Sequence, residues 1–468
     1  MTARTRVWLA IAIVAFATAS EPLAARRTPR HDVITEPAVR AHMTFLAGDA
    51  LNGRGSGTRD EWIAASYIGA QMARWGLEPL GDNGGFVQTV EMTRQDAAAP
   101  PVLTAGSVVL THGKQMIVQS LRTATVSGPL HKFVAGTPVP AGSVVIMPEG
   151  AAPDALQAAA AAAAVLTIET PSTRERWDSL GARLPSLGRA RLVFAPPPAA
   201  AAGPGAPGPL ARIVLDKAAH AALMALAPGV PVNLTAQIKQ TPVFTWNAVG
   251  RLTGSDPKRA GDVILLTSHL DHLGARTTGA DPIFNGADDD ASGTTAVLAL
   301  AEALATGKRP KRTFVFACFG SEEAGGYGAS AFVERPPVPL PQIIANLEFE
   351  MIGRPDSKVP PRTLWLTGWE RTTLGPELAR HGARLVADPH PEQNFFQRSD
   401  NITLARRGVV AQTVSSYGLH KEYHQANDDL AHIDFAHLTE AIQSMVAPIR
   451  WLANAPFTPA WRPGGQPK

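Results

Sequence analysis

Three almost unbroken apolar runs, Val263–Thr267, Arg312–Phe319 and Ile343–Phe349, follow Trp246, with a helical pattern from Thr294 to Ala305 between the first two. Strands of this kind alternating with amphipathic helices restrict the chain to a parallel or mixed sheet covered by helices. In such sheets ligands bind outside the carboxyl ends of the strands. The residues just beyond each run are therefore the ones to read for chemistry.

Each run delivers metal-type ligands. The first ends in Ser268-His269-Leu270-Asp271, where an acid two residues on can fix the second ring nitrogen of a metal-bound histidine. Asn285-Gly-Ala-Asp288-Asp289-Asp290-Ala-Ser-Gly293 crowds three carboxylates into a turn that opens a helix. Such carboxylates repel one another unless a cation neutralises them, and the alternating acids of a calcium loop are absent. The next run ends in Gly320-Ser-Glu322-Glu323, a pair that can divide metal binding from proton transfer. Glu348-Phe-Glu350 closes the last run, and His424 follows in Glu422-Tyr-His424-Gln-Ala-Asn-Asp428. Cys318, the single cysteine, reads as a small buried residue and permits neither a disulfide nor a thiolate cluster. A set of imidazoles and carboxylates without sulfur suits zinc best, with manganese or cobalt as alternatives.

The rest of the chain sets the context. Its 468 residues are too many for one ordinary domain, which points to two domains or one enlarged by an insertion. A net charge of +3, with no long basic block, argues against a nucleic-acid partner. Arg4 and Arg6 precede an apolar run from Val7 to Ala19 that closes on Ala17-Thr18-Ala19, the form of a signal peptide over 1–19. This run is short for a span and no second one follows, so the expectation is an exported protein, periplasmic or extracellular, with no membrane span in its mature form. From Val33 to about Leu80 the spacing predicts two helices, separated by the Gly-rich loop Asp49–Gly57, a possible wall of the site. Short Val- and Ile-rich runs from about Glu91 to Gln240 predict a separate β-rich unit, with a helix over Ala158–Ala164 and an exposed loop over Pro196–Pro209.

His269-Leu-Asp271, Gly286-Ala-Asp-Asp-Asp-Ala-Ser-Gly293, Ser321-Glu-Glu323 and His424, in that order, resemble the co-catalytic two-zinc aminopeptidase family that also contains glutamate carboxypeptidase and the glutaminyl cyclases. The resemblance runs from about Asn247 to Ile433, and Leu51–Gly57 is similar to a loop common in the family. It implies an α/β fold with a mixed, mostly parallel sheet covered by helices on both faces, built from residues 31–90 and 241–457. An inserted β-rich, protease-associated-like domain would occupy 91–240. It further implies two zinc ions per chain: His269 and Glu350 would hold one, Glu323 and His424 the other, and Asp289 would bridge them. Asp271 would orient His269, Glu322 would be the general base, and a cis peptide would precede Asp290. Many relatives have Asp where this chain has Glu350, and Glu348 is a rival for that place.

The activity implied is removal of N-terminal residues from peptide substrates. Alternatives on the same scaffold are a carboxypeptidase or dipeptidase that grips a terminal carboxylate through Arg354 or Arg398, a glutaminyl-cyclase-like enzyme, and a non-catalytic receptor-like module. Phe395 and Phe396 are candidates for lining a specificity pocket, and Tyr417 for stabilising an oxyanion.

Overall fold

The computed structural model describes residues 34–151, 155–188, 190–193, 208–276 and 279–468. Segment 1–19, read above as a signal peptide, and residues 196–207 of the Pro/Ala/Gly segment lie outside the described residues.

The three apolar runs are adjacent strands at the middle of a ten-stranded sheet. Val263–His269 pairs in parallel with Thr313–Phe319 on one side and Ile343–Phe349 on the other, and Ala411–Ser415 continues the parallel array. Alternate residues of each strand point to opposite faces. Ile264, Leu266, Phe314 and Phe316 therefore meet the helices Glu36–Leu46, Arg59–Arg74, Gly293–Thr306 and Phe435–Asn454. Val263, Leu265, Val315 and Ala317 pack on Tyr327–Glu334 and Asn401–Arg406. Both faces are thus covered, which is why these strands carry no polar alternation. Each fully buried Leu, Ile or Phe among them contributes about 1.5–3 kcal/mol.

The sheet is less parallel than expected. Ile238–Leu252 runs antiparallel to both Thr313–Phe319 and Val87–Ala97, and Leu364–Leu366 is antiparallel to Ala411–Ser415. Parallel pairing is confined to the centre and to the outer pair Leu364–Leu366 with Leu385–Ala387. Helical crossovers join the central strands and, through Leu374–Arg380, the outer parallel pair, whereas the long antiparallel strands arrive by other routes.

A second, eight-stranded sheet lies between Val102 and Thr235, with its own core around Leu103, Val126, Ile146, Leu166 and Ile213. The long strands Val87–Ala97 and Ile238–Leu252 form a ribbon that pairs without a break from Ile238 opposite Ala97 to Ala248 opposite Val87. The ribbon passes straight through residues 91 and 240, so the second sheet starts and stops inside those limits. The helix expected over Ala158–Ala164 is not there: a short helix ends at Ala158, and Ala164–Ile168 is a strand between two parallel neighbours. Seven alanine-rich residues are too few to hold a helix by propensity alone, and burial in the sheet decides the matter.

Two helices lead to the site. Thr35 caps Glu36–Leu46 and Thr58 caps Arg59–Arg74, each hydroxyl accepting from a backbone N–H three residues on; a cap of this kind is worth about 1 kcal/mol. Asp49–Gly57 runs between them to the carboxyl edge of the central strands, where Gly55 bridges His272. No helix among the described residues is long and apolar enough to cross a membrane.

Candidate metal centre

His269, Glu323 and Glu350 project from or just beyond three neighbouring strand ends, and Asp289 reaches them from the turn Ala287–Ser292 that opens the helix Gly293–Thr306. The ligand atoms form two groups that share Asp289. His269, Asp289 and Glu350 make one, and His272, Asp289 and Glu323 the other, with the atoms of each group within 4.8 Å of one another. The Nε2 atom of His269 lies 3.1 Å from Oδ1 of Asp289. His424 joins from a distant loop, its Nε2 being 3.2 Å from both Asp289 Oδ2 and Glu323 Oε2.

The turn is held from several sides. Asp428 accepts from the backbone N–H groups of Asp288 and Asp289, both at 3.0 Å. Asp290 accepts from the N–H groups of His269, Gly293 and Met351, tying the turn to two strand ends. The Asp289–Asp290 peptide is cis. Asp288 points away from the centre, accepting from Gly353 N at 2.7 Å with His420 Nε2 at 2.9 Å.

Glu350 stands in a ligand group and Glu348 does not: its carboxylate accepts from the N–H of Asn401 at 2.6 Å. Asp271 meets His269 through its backbone carbonyl, 3.2 Å from Nδ1, while its carboxylate is 3.8 Å away. That carboxylate instead accepts from Ser56 Oγ at 2.5 Å and from Glu322 N at 2.9 Å. Asp271 thus positions Glu322 as well as His269, and the Gly-rich loop touches the site through Ser56.

Two participants had no place in the sequence-based set. His272, fully buried, brings Nδ1 to 2.8 Å from Glu323 Oε1. Its signal was its position one residue after His269-Leu-Asp271, where it could have been read as a second imidazole at the same strand end. Tyr423 stacks on His424 with ring centres 3.9 Å apart. Among the residues weighed for substrate contact, Phe395, Tyr417 and Arg398 line a cavity beside Glu350 together with Trp365 and Tyr423, whereas Phe396 is buried against Trp461. Arg354 is engaged by Glu422 at 3.0 Å.

The electrostatics fit a cation. His269 Nε2, both ring nitrogens of His272, Glu323 Oε1 and His424 Nε2 are buried without a hydrogen-bond partner. Such lone pairs are costly inside a protein unless something positive faces them. Two trios of imidazole and carboxylate that share one aspartate match the donor set of paired zinc ions.

The protonation pattern points the same way. Burial lowers the proton affinity of His424, but the carboxylates of Asp289 and Glu323 outweigh it and lift the imidazole to about 10. Burial, reinforced by Glu348 and Asp289 against His269, pushes Glu350 up to about 8. At neutral pH the metal-free ligands therefore hold protons that a cation has to displace. Zinc affinity is accordingly expected to rise with pH across the range from about 6 to 10, because His424 loses its proton more readily as its own value is approached. Calorimetric titration at pH 7 in buffers of different ionisation enthalpy measures this directly, and zinc binding with no net proton release would rule it out.

Residues 247–448 match the family model described as Peptidase family M28. Among curated proteins, the chain is 38% identical over 102 residues to the vacuolar membrane protease of Lachancea thermotolerans, covering 22% of this chain and 10% of that protein. It is 29% identical over 112 residues to a probable glutamate carboxypeptidase of Arthroderma benhamiae, covering 23% of this chain and 14% of the other. The chain thus spans only a small part of the length of these relatives. Among solved structures, the fold is similar to that of an aminopeptidase from Aneurinibacillus sp. strain AM-1, with a TM-score of 0.54 and 18% identity over 90% of this chain and 94% of that one. It is also similar to a zinc aminopeptidase from Bacillus subtilis, with a TM-score of 0.55 and 17% identity over 90% and 96%. His269, Asp289, Glu323, Glu350 and His424 all lie within the residues that this family model matches.

Proposed function

We propose that the chain is a zinc-dependent exopeptidase that removes N-terminal residues from peptides by hydrolysis. The observation that carries the reading is the pair of ligand groups sharing Asp289, with Glu322 next to one of them and a side-chain-sized cavity next to the other. His269 and Glu350 would hold one ion and Glu323 with His424 the other, Asp289 serving both; His272 is placed to add to the second. Two bound zinc ions supply Lewis-acid polarisation of the scissile carbonyl and acidify water. Glu322 takes the proton of the attacking water and hands it to the leaving amine, a role suited to its raised proton affinity. Burial drives that rise, and Asp400, Glu350 and Glu323 add to it against His269.

The cavity of about 400 Å3 beside Glu350, walled by Trp365, Phe395, Tyr417 and Tyr423, suits one apolar or aromatic side chain. The carboxyls of Glu348, Glu350 and Asp400 are buried nearby and, protonated or not, keep oxygens that accept from a substrate ammonium, which supports cleavage from the amino end. Arg398, whose guanidinium lies 5.0 Å over the Phe395 ring, is the cation that a carboxypeptidase would use, since Arg354 is occupied by Glu422. We further propose that the protein is exported, on the strength of the segment 1–19.

One peptide offered to the zinc-loaded protein in free, N-acetylated and C-amidated forms separates the readings by mass spectrometry. Cleavage that survives amidation and is abolished by acetylation is expected. The reverse pattern would make the chain a carboxypeptidase and move attention to Arg398.

A further inference from the structure

The metal-ligand cluster has cavities on two sides, and only the one beside Glu350 is used above. On the Glu323 side a cavity of about 610 Å3 is lined by His272 and Glu323 and extends along Gly55, Ser56, Thr58 and Leu273. A second, also of about 610 Å3, shares Ser56 and Ala324 with it and continues to the ribbon residues Met92, Val243 and Phe244. The two meet at Ser56 and Ala324 and lead from the ligands of one group to the ribbon that joins the two sheets.

Their walls differ from ordinary surface. Leu273 in the first and Phe244 in the second are each 39% exposed, among the few large apolar side chains of the described residues that face solvent. Beneath Phe244 the ribbon is firmly seated, with Met92, Val90 and Ala331 in one buried cluster and the Tyr327 hydroxyl donating to Ala190 O at 2.8 Å. Apolar side chains held out on a rigid wall, in a cleft continuous with a metal-ligand group, mark a binding surface better than scattered exposure does.

We propose that these two cavities form one groove that holds the leaving portion of an oligopeptide, with Leu273 and Phe244 contacting apolar side chains beyond the scissile bond. This rests on the exopeptidase reading, which already fills the Glu350 side with the terminal residue and leaves the Glu323 side for the rest of the chain. The combined lining runs from Glu323 through Ser56 and Ala324 to Phe244, so the groove reaches beyond the first residue after the scissile bond. The substrate class is then the oligopeptide rather than the dipeptide, and the ribbon beside the second sheet becomes part of the substrate surface.

Binding separates the groove from the reaction. Zinc-loaded Glu322→Gln protein is titrated with the dipeptide Leu-Ala and the hexapeptide Leu-Ala-Leu-Phe-Ala-Ser, each free and N-acetylated, by calorimetry. The hexapeptide is expected to bind at least about tenfold more tightly, the size of one or two well-placed apolar contacts. Adding Phe244→Asp or Leu273→Asp, both at partly exposed positions, should bring the ratio of the two affinities close to one while the thermal unfolding midpoint stays near that of the parent. Equal affinities for the two lengths, or a ratio that both substitutions leave intact, would overturn the groove. Acetylation that weakens neither peptide would instead sink the amino-terminal reading, while the length ratio still decides the groove.

Discussion

Glu322→Gln should leave both metal groups intact and lower kcat by about 10²–10⁴-fold, the range by which a positioned proton acceptor accelerates such a step. Glu322 belongs to neither ligand group, so the amide, which has the same shape, has no reason to disturb zinc. Its backbone is fixed independently of its side chain, because the N–H donates to Asp271 at 2.9 Å. What the amide lacks is a site for the proton. The carboxyl of Glu322 is held well above the usual range by burial and by Asp400, Glu350 and Glu323, against the opposing pull of His269. A carboxylate placed there can accept a proton from water, and a glutamine cannot. The check is paired: metal content by mass spectrometry and steady-state kinetics on one tripeptide, with KM expected within a few-fold of the parent. A variant that loses a metal, or one that keeps its turnover, would reject the assignment.

Much of this centre was legible because of where its residues stand. An apolar run that stops at a histidine or a glutamate advertises a strand end, and the parallel-sheet rule brings neighbouring strand ends together. His269 and the pairs Glu322-Glu323 and Glu348/Glu350 needed no more than that, whereas choosing Glu323, Glu350 and, among three crowded acids, Asp289 took the family resemblance. What could not be read were contacts made by distance in the fold. Asp428 holds the Asp288–Asp289 turn across 140 residues of chain, and nothing in its own neighbourhood signals that task. His272 was hidden by proximity, since it follows a motif already complete in itself. The Ala158–Ala164 stretch misled because alanine favours helix locally, while its packing partners in the second sheet lie elsewhere in the sequence. Strand direction was also beyond reach. The central alternation of strand and helix fixes parallel neighbours, but the ribbon enters without a crossover helix and pairs antiparallel, as does Leu364–Leu366 against Ala411–Ser415.

Arg54→Met is the second large effect expected, and it follows from the loop that the sequence marked only as a possible wall. Arg54 is 1% exposed and spreads its guanidinium over four backbone carbonyls: Leu46, Leu270 at 2.9 Å, Asn285 at 2.7 Å and Gly286 at 3.0 Å. Those carbonyls belong to the end of the first helix, the segment between His269 and Asp271, and the approach to Asp288–Asp290. One cation thus joins three pieces of chain behind the site. Burial lowers its proton affinity, but Asp271, Asp290, Asp428 and Asp289 counter that from around it. Methionine keeps most of the volume and loses both the donors and the charge, so the loss of stability should be about 3–5 kcal/mol, as when a buried ionic partner is removed. The pH dependence distinguishes charge from packing. Asp290 and Asp428 are already pushed well above the ordinary carboxylate range, chiefly by burial. Without Arg54 they move further up, and a carboxyl whose folded value is raised costs stability as pH climbs from its unfolded value near 3.9 through the folded one. The deficit of the variant should therefore be larger at pH 8 than at pH 5, and saturating zinc, which offsets the same negative charge, should narrow it. Denaturant unfolding at the two pH values, with and without zinc, reads all four numbers. A deficit that ignores both pH and metal would mean that Arg54 acts only by filling space and bonding carbonyls, and that the acids around the site do not depend on its charge.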